Sequence, residues 1–294
     1  MKKLNPFSLA VAAVVVIAGI LVWTLLSQTG MTRAFDGAEA YADVLRQVEF
    51  GPRIPGSQAH AQTVDWIVSE LQAAHWEVEV LEQPISGRTA RNIVARRGDS
   101  SAFLILGAHY DSRQYADQDP DPARRAEPVP GANDGASGVA VLLELARSLP
   151  ANLDKEVWLV FFDLEDQGGI DGQNWIEGST SFAGSLERKP EAVVIVDMIG
   201  DAEQNIYYER NSDRPTAARI WQTAADLGYA DTIIPEYKFS MLDDHTPFLQ
   251  AGIPAVDMID FDYPSWHTTA DTPDKVSAES LERVGNTLWN WVQR

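Results

Sequence analysis

None of the 294 residues is cysteine, and that absence removes several classes of protein at once. A disulfide framework, a thiol nucleophile, a cysteine zinc finger, an iron–sulfur cluster and a lipidated-cysteine anchor are all excluded, so any metal must be held by His, Asp and Glu. Basic residues are also scarce: 23 Lys and Arg stand against 43 Asp and Glu, a formal charge of −20. A polyanion of this size repels phosphate backbones and anionic lipid surfaces, which argues against nucleic acid as a partner. Gly/Ser linkers, internal repeats and long low-complexity stretches are missing as well. What is present is globular in character, with 45% hydrophobic and 9% aromatic residues, enough for a sizeable core.

Lys2 and Lys3 precede an uninterrupted apolar run from Phe7 to Leu26, FSLAVAAVVVIAGILVWTLL, about as long as a helix needs to cross a bilayer. Positive charge before the run and polar residues after it place the N-terminus in the cytoplasm and the rest outside. No small-x-small cleavage site stands out near Ser27 to Ala34. Residues 1–30 are therefore expected to be a signal anchor, or a signal peptide if cut, the only part that engages a membrane. Residues 31–294 are expected to be one extracytoplasmic domain, membrane-anchored or, after cleavage, secreted.

Beyond that segment the hydrophobic pattern alternates between two periods. Helical spacing marks Gln58 to Ala74, Ala136 to Ser148, Thr216 to Leu227 and Ser277 to Trp291, whereas β-rich runs mark Trp76 to Leu81, Asn92 to Arg96, Ala102 to Leu106, Glu156 to Phe162, Ala192 to Val196 and Ile253 to Ile259. The later runs are almost wholly apolar, as strands covered on both faces are. Such alternation predicts an α/β fold, a three-layer αβα sandwich around a mixed, mostly parallel sheet. In that architecture ligands collect at the carboxyl edge of the sheet.

Five polar clusters stand out, nearly all of them after apolar runs. His109 and Asp111 in GAHYDSR point the same way in an extended segment, which suits either a structural pair or a metal-bound His109 oriented by Asp111. Asp134 in PGANDGASG sits just before a helix, where it either caps the first amides or, in a turn this rich in glycine, presents its carboxylate to a metal. Glu165 and Asp166 in FFDLEDQG close the most apolar strand, where adjacent acids are costly to desolvate without a cation. Asp197 closes the next run in VDMIGD, and DDHTPF and WHTTADT contribute Asp243, Trp266 and His267. Each cluster alone suits a structural role; together they supply imidazoles and carboxylates, a donor set suited to zinc.

These motifs, in this order, resemble those of the zinc-dependent aminopeptidases of peptidase family twenty-eight and of the animal-type glutaminyl-peptide cyclotransferases that share their zinc-exopeptidase fold, and GPRIPGS at 51–57 resembles the family's opening motif. The resemblance runs from about Ala38 to the end and implies a single zinc-dependent catalytic domain. It implies a zinc held by Asp134, Asp166 and His267, Glu165 as general acid/base, and, in the dizinc peptidases, a second zinc on His109 and Asp197 with Asp134 bridging. Many relatives carry Glu-Glu where this chain has Glu165-Asp166, so the ligand at 166 is one methylene shorter.

DDHTPF and the Trp266-His267 pair stand closer to the cyclotransferases, which bind one zinc and close the ring of an N-terminal glutamine. There Asp197 and Asp243 are expected to share hydrogen bonds with Glu165, and Trp266 to wall the substrate pocket. The alternative is a dizinc aminopeptidase hydrolysing N-terminal residues. Both act on peptide or protein N-termini. An inactive binding protein of the same fold is the third reading, disfavoured by the intact Glu165 and ligand set.

Overall fold

The computed structural model describes residues 34–294; the expected membrane-directed segment lies outside the described residues. Among the described residues, eight strands and seven α-helices follow in chain order: α1 (Gly37–Phe50), α2 (Gln58–Ala73), β1 (Glu77–Ile85), β2 (Arg88–Arg97), β3 (Phe103–His109), α3 (Ala136–Ser148), β4 (Glu156–Phe162), α4 (Glu177–Ser185), β5 (Ala192–Asp197), β6 (Ile206–Tyr208), α5 (Arg214–Asp226), β7 (Ile233–Tyr237), α6 (Thr246–Gln250), β8 (Ala255–Ile259) and α7 (Ala278–Val292). Six strands form one sheet in the order β1-β2-β4-β3-β5-β8, and β6 and β7 pair separately. β4, β3, β5 and β8 run parallel, while β1 and β2 add an antiparallel edge.

The layers follow from strand pleating. In β4, Val157, Leu159 and Phe161 face one apolar cluster, and Trp158, Val160 and Phe162 face the other. The larger cluster packs under α1, α2, α3, α5 and α7 through residues such as Val44, Ile67, Val139, Ile220 and Leu288. The smaller one is covered by Phe182 of α4 and Phe248 of α6. A three-layer αβα sandwich with a mixed sheet is thus the observed architecture, and Ala34–Arg294 is one compact unit. Among the described residues no helix is long and apolar enough to cross a membrane.

Close packing of α3 on the sheet depends on Gly138. A β-carbon there would lie 2.3 Å from the carbonyl oxygen of Val196 and 2.9 Å from the Ala108 side chain, so only glycine lets the helix approach the ends of β3 and β5. That contact brings the loop before α3, with Asp134, over the carboxyl edge of the sheet.

Candidate metal centre and active site

Parallel strands deliver the site residues to one edge. β3 ends on His109 and β5 on Asp197. The loop after β4 carries Glu165 and Asp166, the loop into α3 carries Asp134, and the segment after β8 carries His267. Three non-glycine residues here hold a left-handed backbone: Leu164 (φ 56°), Met198 (φ 46°) and His267 itself (φ 54°). Such conformations cost on the order of 1–3 kcal/mol each and persist where surrounding contacts impose them.

Asp134 lies between two histidines. Its Oδ1 is 3.2 Å from His109 Nε2 and its Oδ2 is 3.6 Å from His267 Nε2. His109 Nε2 also lies 3.1 Å from Asp197 Oδ1, and His267 Nε2 lies 2.9 Å from Asp166 Oδ1. Two trios result, His109–Asp134–Asp197 and Asp134–Asp166–His267, each with its ligand atoms within 4.8 Å of one another. The capping role is not realised: Gly135 (φ 88°) is the N-cap of α3 and no side chain caps its first turn.

The donor set fits a divalent ion. Among the described residues, both oxygens of Asp166 and Oδ2 of Asp134 are buried without a well-aligned hydrogen bond, although His267 approaches Asp166 Oδ1, an expensive arrangement unless a cation receives them. Ligand atoms on a tetrahedral zinc with bonds of about 2.0 Å sit about 3.3 Å apart, within the spread of the distances above. The electrostatics agree. Burial and the neighbouring charge of Asp134 push Asp166 up to about 6, and burial pushes Asp197 up to about 7. Burial alone lowers the imidazoles, but the surrounding carboxylates, Asp166 foremost, carry His267 up to about 9 and, Asp197 foremost, His109 well above its ordinary range. Crowded buried acids of this kind are what a bound cation relieves.

Around these groups lies a supporting shell. Asp111 accepts the backbone amides of Glu165 (3.1 Å) and Asp166 (3.3 Å) and the Gln167 side-chain amide (3.1 Å). The expected Asp111 hydrogen bond to His109 is not formed; the pair is 3.6 Å apart, because Asp111 is committed to the loop after β4. Asp271 accepts the amides of Asn133 (2.8 Å) and Asp134 (3.2 Å) and the hydroxyl of Tyr263 (2.7 Å). Arg53 is fully buried and donates to the carbonyls of Tyr110, Pro130 and Gly131. Arg53 lies in GPRIPGS and Asp271 in WHTTADT, but nothing local to either motif marks these roles; Asp117 and Trp175 lie outside any motif and carry no signal beyond residue type.

Glu165 opens onto a cavity of about 240 Å³ shared with Asp134, Asp166, Asp197, Asp243 and His267 and walled by Trp175, Met241, Ile259, Phe261 and Trp266. Burial, reinforced by Asp166, Asp244 and Asp243, holds the Glu165 carboxyl well above the usual carboxylate range although His109 opposes this. Trp266 stacks on His267 with ring centroids 3.9 Å apart, and Trp175 lies parallel to the same imidazole at 5.8 Å. The expected network takes another form: among the described residues no hydrogen bond joins Glu165 to Asp197 or Asp243, and Asp243 Oδ2 has no partner. Asp243 accepts instead from the amide of Asp244. His245, left out of the expected metal set, is turned away and fully buried, 3.3 Å from Glu209 and 3.8 Å from Asp257.

A carboxyl-edge site with paired His/Asp trios and a buried glutamate places the protein among metal-dependent exopeptidase-fold enzymes. The sequence profile of Peptidase family M28 matches residues 92–292, and the chain belongs to that family. It is 35% identical to the solved structure of Porphyromonas gingivalis glutaminyl cyclase, with a TM-score of 0.83 over 87% of this chain and 97% of that one. It is 31% identical to a Zn-dependent exopeptidase from Parabacteroides distasonis, TM-score 0.84, over 90% and 99% of the two chains. Among curated proteins, the glutaminyl-peptide cyclotransferase of Boiga irregularis is 27% identical over 83% of this chain and 77% of its own.

Proposed function

We propose that the protein is a zinc-dependent glutaminyl-peptide cyclotransferase, converting the N-terminal glutamine of peptides or proteins to pyroglutamate with release of ammonia. One observation carries this reading over its rival. The cavity beside Glu165 is walled by Trp175, Met241, Phe261 and Trp266, apolar side chains that suit closure of a small glutamine ring better than delivery of an attacking water. The cyclase names of close relatives support the same choice.

Asp134, Asp166 and His267 would hold the zinc, which when bound polarises the γ-amide carbonyl of the substrate. Glu165 accepts a proton from the substrate α-amine as its nitrogen bonds to the δ-carbon, the carbonyl carbon of the γ-amide. It returns that proton to the γ-amide nitrogen as the old C–N bond breaks and ammonia leaves. Burial raises the proton affinity of Glu165, which suits a group that must hold a proton between the two steps. Trp266, Trp175, Met241 and Phe261 line the cavity with apolar surface that would hold the tethered amine against the carbonyl, so that ring closure outruns attack by water.

The rival reading, a dizinc aminopeptidase with Glu165 as general base, draws on the second trio, which shares Asp134 and is compact enough for another ion. Incubation with Gln-peptides and Leu-peptides separates the two: pyroglutamyl product supports cyclisation, and free leucine with two zincs per chain supports hydrolysis. His267→Ala is expected to lose tightly held zinc in either case, and full zinc occupancy after dialysis would remove His267 from the ligands. We further propose that the apolar N-terminal segment holds this domain outside the cytoplasm, or releases it when cut. Membrane fractionation with N-terminal sequencing decides between anchor and signal peptide, and a cytoplasmic pool would refute both.

A further inference from the structure

We infer that Arg113, through Asp117, is a positioning residue that sets the orientation of His267 and the seat of Trp175, and so the zinc affinity and pocket shape on which the proposed function rests. Arg113 is almost fully buried, at 4% exposure, on the segment that follows β3. Its Nε and Nη2 form a fork on the Asp117 carboxylate at 3.0 and 2.6 Å, the bidentate geometry that only a guanidinium supplies. Its remaining donors reach across to the loop after β4, with Nη1 3.0 Å from the carbonyl of Asp166 and Nη2 3.3 Å from that of Gly168. The face of the same group lies 4.7 Å from the Trp175 ring centroid.

Each partner of Arg113 touches the site on a different side. Asp117 Oδ1 is 3.6 Å from His267 Nδ1, the ring nitrogen opposite the one that faces Asp134 and Asp166. At 3.6 Å, the same separation as Asp111 from His109, this carboxylate forms no hydrogen bond in the described geometry, but its charge favours the tautomer with its proton on Nδ1 and leaves Nε2 free to bind a metal. The amide of Gln118, next in the chain, donates to the His267 carbonyl at 3.2 Å. Trp175, between Arg113 and His267, packs so closely on Gly168 that a β-carbon there would lie 2.0 Å from the indole. One guanidinium therefore couples the loop that carries a histidine's outer partner to the loop that carries the ligand Asp166 and to the pocket wall. Asp117 is 38% exposed at its side chain, so its orientation depends on the fork.

The test uses Asp117→Asn and Arg113→Lys in the full-length protein, with zinc affinity from chelator competition, thermal stability, and the visible ligand-field bands of the cobalt(II)-substituted protein. Expected are about a 10- to 100-fold loss of zinc affinity and shifted cobalt bands in both variants, with Asp117→Asn melting close to wild type. Arg113→Lys keeps the charge but loses the fork, and is expected to raise KM more than Asp117→Asn does because Trp175 loses its support as well. Wild-type zinc affinity with unchanged cobalt bands in Asp117→Asn overturns the inference while leaving the metal centre intact. A wild-type protein that binds neither ion overturns the functional reading itself and the inference with it.

Discussion

The carboxylate of Asp111 receives the backbone amide of Glu165 at 3.1 Å, so the proposed proton carrier is fixed by a residue on a different strand end. Asp111 Oδ1 faces that amide and His109 Nδ1, while Oδ2 faces the amide of Asp166 and the side chain of Gln167. Every donor around it needs an oxygen. Asp111→Asn must therefore turn an NH2 group toward at least one backbone amide donor whichever way the side chain is flipped. The expected cost is about 1–3 kcal/mol of stability together with a 10- to 100-fold loss of zinc affinity. Urea unfolding and chelator competition measure the two, and wild-type values in both would show that Asp111 does not organise the loop.

Glu165→Gln preserves size and hydrogen-bonding capacity but cannot carry a proton. Zinc content by emission spectroscopy should stay at the wild-type level, while pyroglutamate formation falls by at least about two orders of magnitude. Activity within a few-fold of wild type would remove Glu165 from the role assigned to it.

The fold was legible where one local signal was uniform. The apolar strand Glu156–Phe162 and the helix Ala136–Ser148 occupy their predicted bounds, because a strand buried on both faces and a helix entered from a glycine turn need no distant partner to be recognised. Helix α4, EGSTSFAGS, was not predicted: it is rich in serine and glycine, and long-range contacts hold it. The Asn92 side chain donates to the Gly178 carbonyl, and Phe182 packs edge-on against Phe162 and Phe248. The short strands β6 and β7 also escaped, being three and five residues long.

The inner site was legible because its residue types are chemically restricted and close apolar runs. Its support was not. Asp117 lies in a loop with several other acids, and nothing local distinguishes the one that meets His267 Nδ1. Arg53 acts on backbone carbonyls and Asp271 on two backbone amides and the Tyr263 hydroxyl, partners that only the folded chain assigns.

Gly138→Ala tests the packing that carries Asp134 to the site. The added β-carbon would meet a backbone oxygen at 2.3 Å, which cannot rotate away as a flexible side chain would. Helix α3 must shift, and destabilisation of about 1–3 kcal/mol is expected, with zinc affinity falling as Asp134 moves. An unchanged unfolding midpoint would show that α3 can slide on the sheet without cost.

A pH dependence distinct from the metal centre is expected from Asp260, a fully buried residue after β8 whose oxygens accept the amides of Asn205 (2.7 Å) and Asp262 (3.1 Å). Burial, with the charges of Asp201 and Asp262, pushes its carboxyl from 3.8 up to about 7. Below about pH 4 both folded and unfolded chains hold the proton. As pH rises toward 7 the unfolded chain releases it first, so this group's contribution to stability declines across that window. Asp260→Asn removes the titration. Between pH 5 and pH 8 the wild type should therefore lose stability relative to the variant, by at most about 1.4 kcal/mol for each pH unit spent inside the window. Urea unfolding of both proteins at the two pH values gives the difference directly, and parallel profiles would mean that Asp260 titrates alike in the folded and unfolded chains.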